Sequence, residues 1–386
     1  MEERNDKDNR SLKIAAVGDI ALVGRYQDNP SPAPFEPVRH LFKQCGLVIA
    51  NLECPLTDTG TSPPGKCTLR ANPGWAAVLK DAGVDVVSLA NNHIMDYGPE
   101  GLVNTIRALD DAGIQWVGAG ENNDQASQPL YLERAGYKIA ILARSSVEVK
   151  SPCYADEHQM GAAFLDAAEL TDRIFECRQN ADLVLLLPHW GLEEYAYPPP
   201  TQRKEARVLI DSGADVIFGG HPHVLQGVEE FGEGFVRHSL GNFVFDEFEW
   251  SFINQEGNPQ SAWSGLSRRN REGCVQWVEF RGKSLAGHEA VPTRITEEGV
   301  IVHDTRLCRS RDFARLSSRL KWPAYGIFWK LHSFLMEYEL RIKPHFAGKL
   351  KWEKLKKIRP SHIISLVQSL RRSAKITSGK STNPYD

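Results

Sequence analysis

The residues of this chain that could do chemistry stand where apolar runs end. The apolar run at residues 84–90 leads directly into Asn91, Asn92 and His93, and Asp96 follows three residues later. Ligands of open α/β sheets bind at the carboxyl ends of the strands, so the pattern predicts a buried strand that delivers a polar cluster to a binding site. The alternative is a loop in which the asparagines form turns and His93 lies at the surface.

Four other apolar runs end in the same way. Counting the first cluster, five such ends carry groups that could bind a metal or transfer protons: Asp19, Glu53, Asn92 with His93, His189, and His221 with His223. Turn formation, helix capping or hydrogen bonding within the core could explain most of these groups taken singly. The His-Pro-His step is harder to explain structurally, because its two imidazoles flank a residue of fixed φ directly after Gly219 and Gly220.

Carboxylates, an amide oxygen and imidazoles form a mixed nitrogen and oxygen ligand set. Such a set suits manganese, iron, zinc or magnesium better than a metal that prefers thiolates. A divalent metal there lowers the pKa of water to near neutrality and polarises an oxyanion of the substrate. A histidine that is not itself a ligand could then protonate the leaving group. His93, beside Asn92, is the candidate, and a purely orienting role is its alternative.

Two acids complete the candidate catalytic set with His93. Asp96 belongs to the same cluster, and Glu193 follows the predicted strand that ends at His189. Glu193 either binds or orients substrate, or is an acid in the first turn of a helix that the helix dipole favours. The sequence shows no phosphate-binding P-loop, no GxSxG elbow and no GxGxxG in a suitable context, which argues against nucleotide kinases, serine hydrolases and dinucleotide-dependent dehydrogenases.

Alternating strands and helices must position these groups. Apolar runs predict strands at 12–17, 47–50, 84–90, 114–117, 138–143, 182–187, 214–218 and 234–238, and helical patterns occupy 38–44, 75–82, 102–112, 170–179 and 202–212. This alternation predicts a layered α/β fold whose strands are covered on both faces. We further predict a polar surface loop at 247–272 and an edge strand at 274–280.

Composition narrows the class of protein. The chain has 386 residues, of which 41% are hydrophobic and 25% charged, as in an ordinary globular protein. The net charge of -3 argues against a whole-chain polyanion binder, and no specific nucleic-acid signal is present. Seven scattered cysteines without a CxxC pair favour a reducing compartment. Since no secretory signal or membrane span is visible, we expect a cytoplasmic location, with a peripheral membrane location as the alternative.

The C-terminal region has a different character. Residues 341–375 hold eleven lysines or arginines against one acid, Glu353. We predict a basic amphipathic helical extension at 306–375, between a domain at 12–305 and a disordered tail at 376–386, with residues 1–11 also disordered. The extension either packs on the domain as a solvated face or binds a membrane surface or a protein partner.

Six short motifs occur in order: GDI at 18–20, NLE at 51–53, ANNHxxDYG at 90–98, HWGLEEY at 189–195, GADVIFGGHPHVLQ at 213–226 and SLGNF at 239–243. Together they resemble the CapA family, the poly-γ-glutamate capsule-biosynthesis (PGA-cap) proteins of bacteria. That family is similar to the calcineurin-like metallophosphoesterases. The resemblance covers about residues 12 to 300 and is specific as a set.

The resemblance implies a four-layer α/β sandwich with a two-metal site. By motif, it assigns Asp19 to the first metal carboxylate, Glu53 to the bridging carboxylate, Asn92 to the amide ligand, His93 to the catalytic histidine, and His189, His221 and His223 to the imidazole ligands. The superfamily's first motif is Asp-x-His, and here position 21 is alanine. One or two ions of Mn, Fe or Zn are therefore expected, and one ion held by Glu53, Asn92, His189 and His221 is the conservative expectation.

The resemblance also implies a function in capsule or poly-γ-glutamate biosynthesis. We expect a metal-dependent hydrolase that acts on a phosphoester or a related polar bond of an anionic small molecule or polymer. The alternative is a non-catalytic accessory or binding subunit for the synthesis or export of an anionic polymer. The basic C-terminal extension would then contact a membrane surface or a capsule-synthesis partner.

Overall fold

Two β-sheets form the centre of this mixed α/β protein. A computed structural model describes residues 10–63, 65–147, 153–253 and 258–342. The strands are β1 Ser11–Ile20, β2 Leu47–Leu52, β3 Val86–Ser88, β4 Gln115–Val117, β5 Ala119–Gly120, β6 Leu130–Arg134, β7 Tyr137–Ser145, β8 Gly161–Ala162, β9 Leu183–His189, β10 Val216–Phe218, β11 Val228–Phe231, β12 Gly234–Arg237, β13 Asn242–Val244, β14 Phe248–Ile253, β15 Pro259–Ser264, β16 Glu272–Arg281, β17 Ser284–Ile295 and β18 Ile301–His303.

The helices lie mostly between these strands in the sequence. They are α1 Trp75–Ala82, α2 Gly98–Ala112, α3 Asn123–Ala126, α4 Ala167–Asn180, α5 Pro200–Asp211, α6 Thr305–Cys308, α7 Arg311–Leu320 and α8 Tyr325–Glu337, with short 3-10 helices at Gly24–Tyr26, Arg39–Leu41 and Arg269–Arg271 and a π-helix at Tyr338–Ile342. Helices α1 and α2 end where predicted, because Gly83 and Gly113 adopt positive φ angles of 107° and 70° that glycine reaches without strain.

The first sheet has the order β18-β17-β16-β1-β2-β3-β4, with β13 also paired to β1. Strands β1 to β4 are parallel to one another, whereas β16, β17 and β18 are antiparallel. The second sheet has the order β11-β12-β10-β9-β7-β6, and its central strands β7, β9, β10 and β12 are parallel. Each sheet therefore gathers the carboxyl ends of several parallel strands at one edge.

Apolar side chains cover both faces of the two sheets. One buried cluster joins the sheets to each other, with Ile14 and Ile49 from the first sheet and Ile139 and Leu185 from the second. A second cluster packs the first sheet against α1 and α2, and a third packs the second sheet against α4 and α5. Coverage on both faces explains why these strands are continuous apolar runs in the sequence.

Three predictions about local structure are wrong. The helical pattern at 38–44 forms only the 3-10 turn Arg39–Leu41. The segment 247–272, predicted as a surface loop, contains the antiparallel hairpin β14–β15. The strand predicted at an edge, β16, pairs with β1 on one side and β17 on the other. Strand β17 has mostly exposed positions in its first half, so its sequence lacks the apolar run that marks the others.

The described part of the C-terminal region, up to Ile342, consists of the short helices α6, α7 and α8 and the π-helix. Most of the basic stretch 341–375, the predicted tail 376–386 and residues 1–9 lie outside the described residues, and the predicted domain boundaries stay predictions. Strand β1 already includes Ser11. None of the helices in the described ranges is both long and apolar enough to cross a membrane.

Candidate metal centre

Carboxylates and imidazoles from both sheets converge at the carboxyl ends of their parallel strands. Asp19 lies near the end of β1, Glu53 directly follows β2, and His189 ends β9. His221 and His223 follow β10. One ligand atom each from Asp19, Glu53 and His189 lie within 4.8 Å of one another, and so do those of Glu53, His221 and His223. The two groups share Glu53, as the assignment of a bridging carboxylate requires.

The backbone around Gly220 brings the two sheets together at Asp19. The buried Asp19 carboxylate accepts hydrogen bonds from the His221 backbone N–H at 3.1 Å and from Nδ2 of Asn51 at 2.8 Å. A Cβ atom at Gly220 would lie 2.6 Å from Oδ1 of Asp19, so this position excludes any side chain. His221 and His223 have φ angles of 92° and 56°. Such left-handed backbone is uncommon outside glycine, and strain of this kind is typical of functional sites.

Two buried polar atoms of the centre have no hydrogen-bond partner among the described residues. They are Oε1 of Glu53 and Nδ1 of His221. Oε1 of Glu53 lies 3.4 Å from Nε2 of His189 and 3.5 Å from Nε2 of His223, which is longer than a normal hydrogen bond. An unsatisfied buried polar atom costs about 1–3 kcal/mol. A bound cation would satisfy the carboxylate and the imidazoles together, so these residues fit a divalent metal.

Charges within the centre shift one another's pKa values. Burial raises the pKa of Asp19 to about 6, and the nearby charge of Glu53 adds to this rise. Burial also acts to raise the pKa of Glu53, but the charges of His223 and His189 outweigh it and lower the value to about 2. Burial and then the charge of His189 hold the pKa of His221 well below its usual value. Burial acts to lower the pKa of His223, but the charges of Glu53 and Asp19 outweigh it and raise the value to about 9. Metal binding needs neutral imidazoles, so a bound metal would have to displace a proton from His223 but not from His221.

Side-chain amides surround the converging ligands. Oδ1 of Asn92, the predicted amide ligand, lies 2.9 Å from Nε2 of His189. Nδ2 of Asn91 donates to Oδ1 of Asn51 at 3.2 Å and fixes the orientation of that amide behind Asp19. Oδ1 of Asn242 lies 3.0 Å from Nδ1 of His223. Asn51, Asn91 and Asn242 were not proposed as site residues, although they lie in three of the six motifs.

The predicted catalytic residues His93 and Asp96 are in contact. Nδ1 of His93 lies 2.7 Å from Oδ2 of Asp96, whose side chain is fully buried. Asp96 also accepts a hydrogen bond from the backbone N–H of Leu69 at 2.6 Å and forms an ion pair with Lys66. The pKa of Glu53 is lowered mainly by the charges of His223 and His189, and a positive charge on His93 would add to this effect. No sequence pattern marks Lys66, which lies thirty residues before Asp96 in a loop.

The third predicted catalytic residue, Glu193, is exposed on the loop that follows β9. Its neighbour Glu194 is half-buried, and Oε1 of Glu194 accepts a hydrogen bond from Nδ2 of Asn270 at 2.6 Å. The same Nδ2 donates to the backbone carbonyl of His223 at 3.2 Å. Asn270 thus links this loop to His223, a proposed metal ligand. The prediction that 247–272 is a surface loop did not indicate this contact.

Position 21, where the Asp-x-His motif of the resemblance would place a histidine, is alanine. Ala21 is fully buried and belongs to the apolar cluster that packs the first sheet against α1 and α2. Its backbone N–H donates to the carbonyl of Val244 at 2.9 Å. The environment of Ala21 is therefore apolar, and the imidazoles grouped with Glu53 come from His189, His221 and His223.

A groove with basic walls is lined by Val224, the residue after His223, but by none of the proposed metal ligands. Its volume is about 470 Å³, and it runs between the turn at 268–272 and the helices α7 and α8. Four of its lining residues are arginines and two are acids: Arg268, Arg269, Arg315, Arg319, Glu272 and Asp312. Arg268 pairs with Glu272, and Arg315 pairs with Asp312. Arg269 and Arg319 form no ion pair within the part of the chain that the structure describes.

Comparison with known proteins identifies relatives by sequence. The family model for the bacterial capsule synthesis protein PGA_cap matches residues 13–247. The capsule biosynthesis protein CapA of Bacillus anthracis is 30% identical over 360 residues, which cover 89% of this chain and 81% of that protein. The PGA biosynthesis protein CapA of Bacillus subtilis is 33% identical over 244 residues, which cover 61% of this chain and 64% of that protein.

Solved structures show more distant similarity. The NAD nucleotidase of Haemophilus influenzae matches 76% of this chain and 54% of its own, with a TM-score of 0.40 and 16% identity. The sulfate thiohydrolase SoxB of Thermus thermophilus matches 76% of this chain and 56% of its own, with a TM-score of 0.39 and 12% identity.

Proposed function

This chain belongs to the bacterial capsule synthesis protein (PGA_cap) family, and we propose that it is a metal-dependent hydrolase that cleaves a phosphoester or a related polar bond. One observation carries the proposal. Five acid or imidazole side chains from the ends of four strands place their ligand atoms in two groups of three that share Glu53. The apolar layers between and outside the two sheets support a four-layer sandwich of the calcineurin-like metallophosphoesterase type.

The proposed ligands are Asp19, Glu53, Asn92, His189, His221 and His223, and they would hold one or two ions of manganese, iron or zinc. When bound, such an ion supplies an electrophile for the substrate's oxygen and acidifies water. The three imidazoles and the carboxylates of Asp19 and Glu53 provide the nitrogen and oxygen donors that these metals prefer. Only glycine fits at position 220, because the Cβ atom of any other residue would clash with the Asp19 carboxylate.

The proposed role of His93 is to hold a proton for the leaving group. Nδ1 of His93 lies 2.7 Å from Oδ2 of Asp96, so an Nδ1–H would donate to that carboxylate. The proton for the leaving group would be a second one, carried on Nε2 of the imidazolium, and its transfer would leave the neutral imidazole with its Nδ1–H still bonded to Asp96. Lys66 and the backbone N–H of Leu69 fix the Asp96 carboxylate in turn. A histidine held in one orientation by a buried acid is an efficient general acid or base.

Metal content measured beside turnover tests the proposal. We expect about one or two Mn, Fe or Zn ions per chain in purified protein by elemental analysis, and hydrolysis of an aryl phosphate mono- or diester. Glu53→Ala should lose both metal and turnover. Glu36→Ala, which changes an exposed glutamate far from the centre, is the control and should keep both. Turnover that is unchanged in Glu53→Ala would contradict the hydrolase.

The groove with basic walls favours a second candidate function. Arg269 and Arg319 face this groove without a carboxylate partner among the described residues. They could bind the acid groups of an anionic polymer. Two relatives are named for capsule or PGA biosynthesis. The second candidate is therefore an accessory subunit that binds such a polymer without cleaving it.

Retention of poly-γ-glutamate separates the two candidates. An accessory subunit should bind the polymer with no loss of polymer length, and Arg269→Ala with Arg319→Ala should weaken binding about tenfold. Arg281→Ala, an exposed arginine on β16 outside this groove, is the matched control. Shortening of the polymer that requires Glu53 would favour the hydrolase instead.

A further inference from the structure

Helix α8 leaves an apolar face uncovered. Six large apolar side chains on α8 and the π-helix that continues it are between 43% and 74% exposed: Ile327, Leu331, Phe334, Leu335, Tyr338 and Leu340. The spacing of Ile327, Leu331, Phe334 and Leu335 places them on one side of the helix. Lys330 is the one charged side chain that α8 exposes, and the π-helix exposes Glu339. A contiguous apolar surface of this kind marks an interaction site.

The opposite face of α8 is firmly attached to the domain. Tyr325, Trp329, Ser333 and Glu337 are buried and follow one another at intervals of four residues. The Tyr325 hydroxyl donates to the carbonyl of Pro198 at 2.6 Å, and the Tyr195 hydroxyl donates to Oε1 of Glu337 at 2.9 Å. Because the inner face has specific partners, the helix cannot turn its apolar side inward without breaking them.

The charge of the adjoining sequence indicates what covers the exposed face. The stretch 341–375 begins directly after the last of these apolar residues and carries eleven basic residues against one acid. A second copy of the chain would bring two such basic stretches together, and their like charges would repel. An anionic lipid surface attracts basic residues and takes up an apolar helix face at the same place.

We propose that the α8 face, defined as Ile327, Leu331, Phe334 and Leu335, inserts into an anionic membrane surface. The helix lies in the plane of the interface with its apolar side in the acyl region and Lys330 near the headgroups. The contacts of α8 with Tyr195 and Pro198 would then hold the domain at the membrane through the loop that follows β9.

Vesicle flotation of the full chain tests this inference. We expect wild-type protein to float with phosphatidylcholine vesicles that contain about one third phosphatidylglycerol, and the double variant Ile327→Asp/Leu331→Asp to bind about tenfold less. The matched control is Phe175→Asp/Val103→Asp, which changes exposed apolar residues on α4 and α2 and should float as the wild type does. Unchanged metal content and unfolding temperature show that the variants are folded.

A second measurement reports insertion directly. Vesicles with brominated acyl chains should quench the fluorescence of the tryptophan added in Leu331→Trp but not of the one added in Phe175→Trp. The fluorescence of the wild-type protein with the same vesicles is the reference for both variants. The inference would be overturned if Ile327→Asp/Leu331→Asp floated as well as the wild type, or if Leu331→Trp were not quenched. Membrane binding would then be attributed to the basic stretch 341–375. A wild-type chain that does not float, with a dimer that the double variant dissociates, would instead show an interface between two copies.

Discussion

Asp96 holds His93 through a hydrogen bond of 2.7 Å to Nδ1, and the acid itself is fully buried. The Asp96 carboxylate is already fixed by an ion pair to Lys66 and by the backbone N–H of Leu69. The imidazole therefore has one tautomer and a restricted orientation beside the ligands. This contact supports the proposed role of His93 in proton transfer.

The variant Asp96→Asn should lower kcat about 100-fold or more, because an amide can donate to Nδ1 of His93 and favour the wrong tautomer. Metal content and KM should change little, since Asp96 is not a ligand. Steady-state kinetics beside elemental analysis measure both. Asp111→Asn, an exposed acid on α2, serves as the control. A kcat equal to wild type in Asp96→Asn would show that His93 does not transfer the proton.

Removal of metal should destabilise the folded chain. A ligand that binds only the folded state adds about 4 kcal/mol when its concentration is a thousand times its Kd. We therefore expect Tm to fall on chelation and to recover when Mn²⁺ or Zn²⁺ is returned, as followed by thermal unfolding. His221→Ala removes one imidazole and should abolish the metal-dependent part of the Tm. A Tm that changes neither on chelation nor on addition of metal would contradict a metal centre formed by these residues.

Much of the framework was predictable because it depends on local sequence. The boundaries of α1 follow from the apolar period and from Gly83, whose left-handed φ ends the helix. The polar residues at the strand ends were predictable for a related reason. Parallel strands must bring their carboxyl ends to the same edge of a sheet, so residues that end separate apolar runs become neighbours.

The supporting contacts were not predictable, because they depend on loops whose sequence shows no period. Lys66 reaches Asp96 from the loop before α1, and Asn270 reaches Glu194 from a stretch that is otherwise polar. Strand β17 was missed for a similar reason. It pairs with β16 along its length, with one irregularity at Glu279 and Phe280, but most of the residues in its first half are exposed. Backbone hydrogen bonds do not impose a pattern of apolar side chains, so the sequence does not show this strand.

Substitution at Gly220 should disrupt the centre without unfolding the domain. In Gly220→Ala the new Cβ would lie 2.6 Å from Oδ1 of Asp19 and 3.4 Å from Nδ1 of His189, so the carboxylate must move. We expect metal content to fall severalfold and the free energy of unfolding to fall by about 1–3 kcal/mol. Elemental analysis and urea unfolding measure the two effects. The control, Gly287→Ala, has open space around the added Cβ and should retain metal. Full metal content in Gly220→Ala would contradict the role of Asp19.

A buried ionic cluster apart from the centre predicts how stability depends on pH. Oε2 of Glu229 accepts a hydrogen bond from Nε of Arg203 at 2.8 Å and lies 2.8 Å from Nε2 of His238, and Oε1 accepts from Nη2 of Arg203. Burial acts to raise the pKa of Glu229, but Arg203 and His238 outweigh it and lower the value to about 2. Burial also lowers the pKa of His238, against the effect of Glu229.

Both shifts make the unfolded chain bind protons more readily than the folded chain. The contribution of Glu229 to the free energy of unfolding is therefore complete above about pH 4.5 and is lost as the pH falls towards 2. That of His238 begins to fall earlier, below about pH 6.5, where the unfolded imidazole takes up its proton. Wild-type stability should thus decrease in two stages on acidification.

Glu229→Gln should reduce the lower stage, because glutamine does not titrate, while Glu53, whose pKa is also lowered to about 2, keeps its share of that stage. The variant should also lower stability at pH 7 by leaving Arg203 without its carboxylate. Urea unfolding at a series of pH values, with chelator present in every sample, isolates this effect from metal binding. Glu230→Gln is the matched control. Its carboxylate pairs with His288 at an exposed position, where ion pairs contribute little. If the free energy of unfolding fell equally below pH 4.5 in the wild type and in Glu229→Gln, Glu229 would not contribute to the loss of stability in acid.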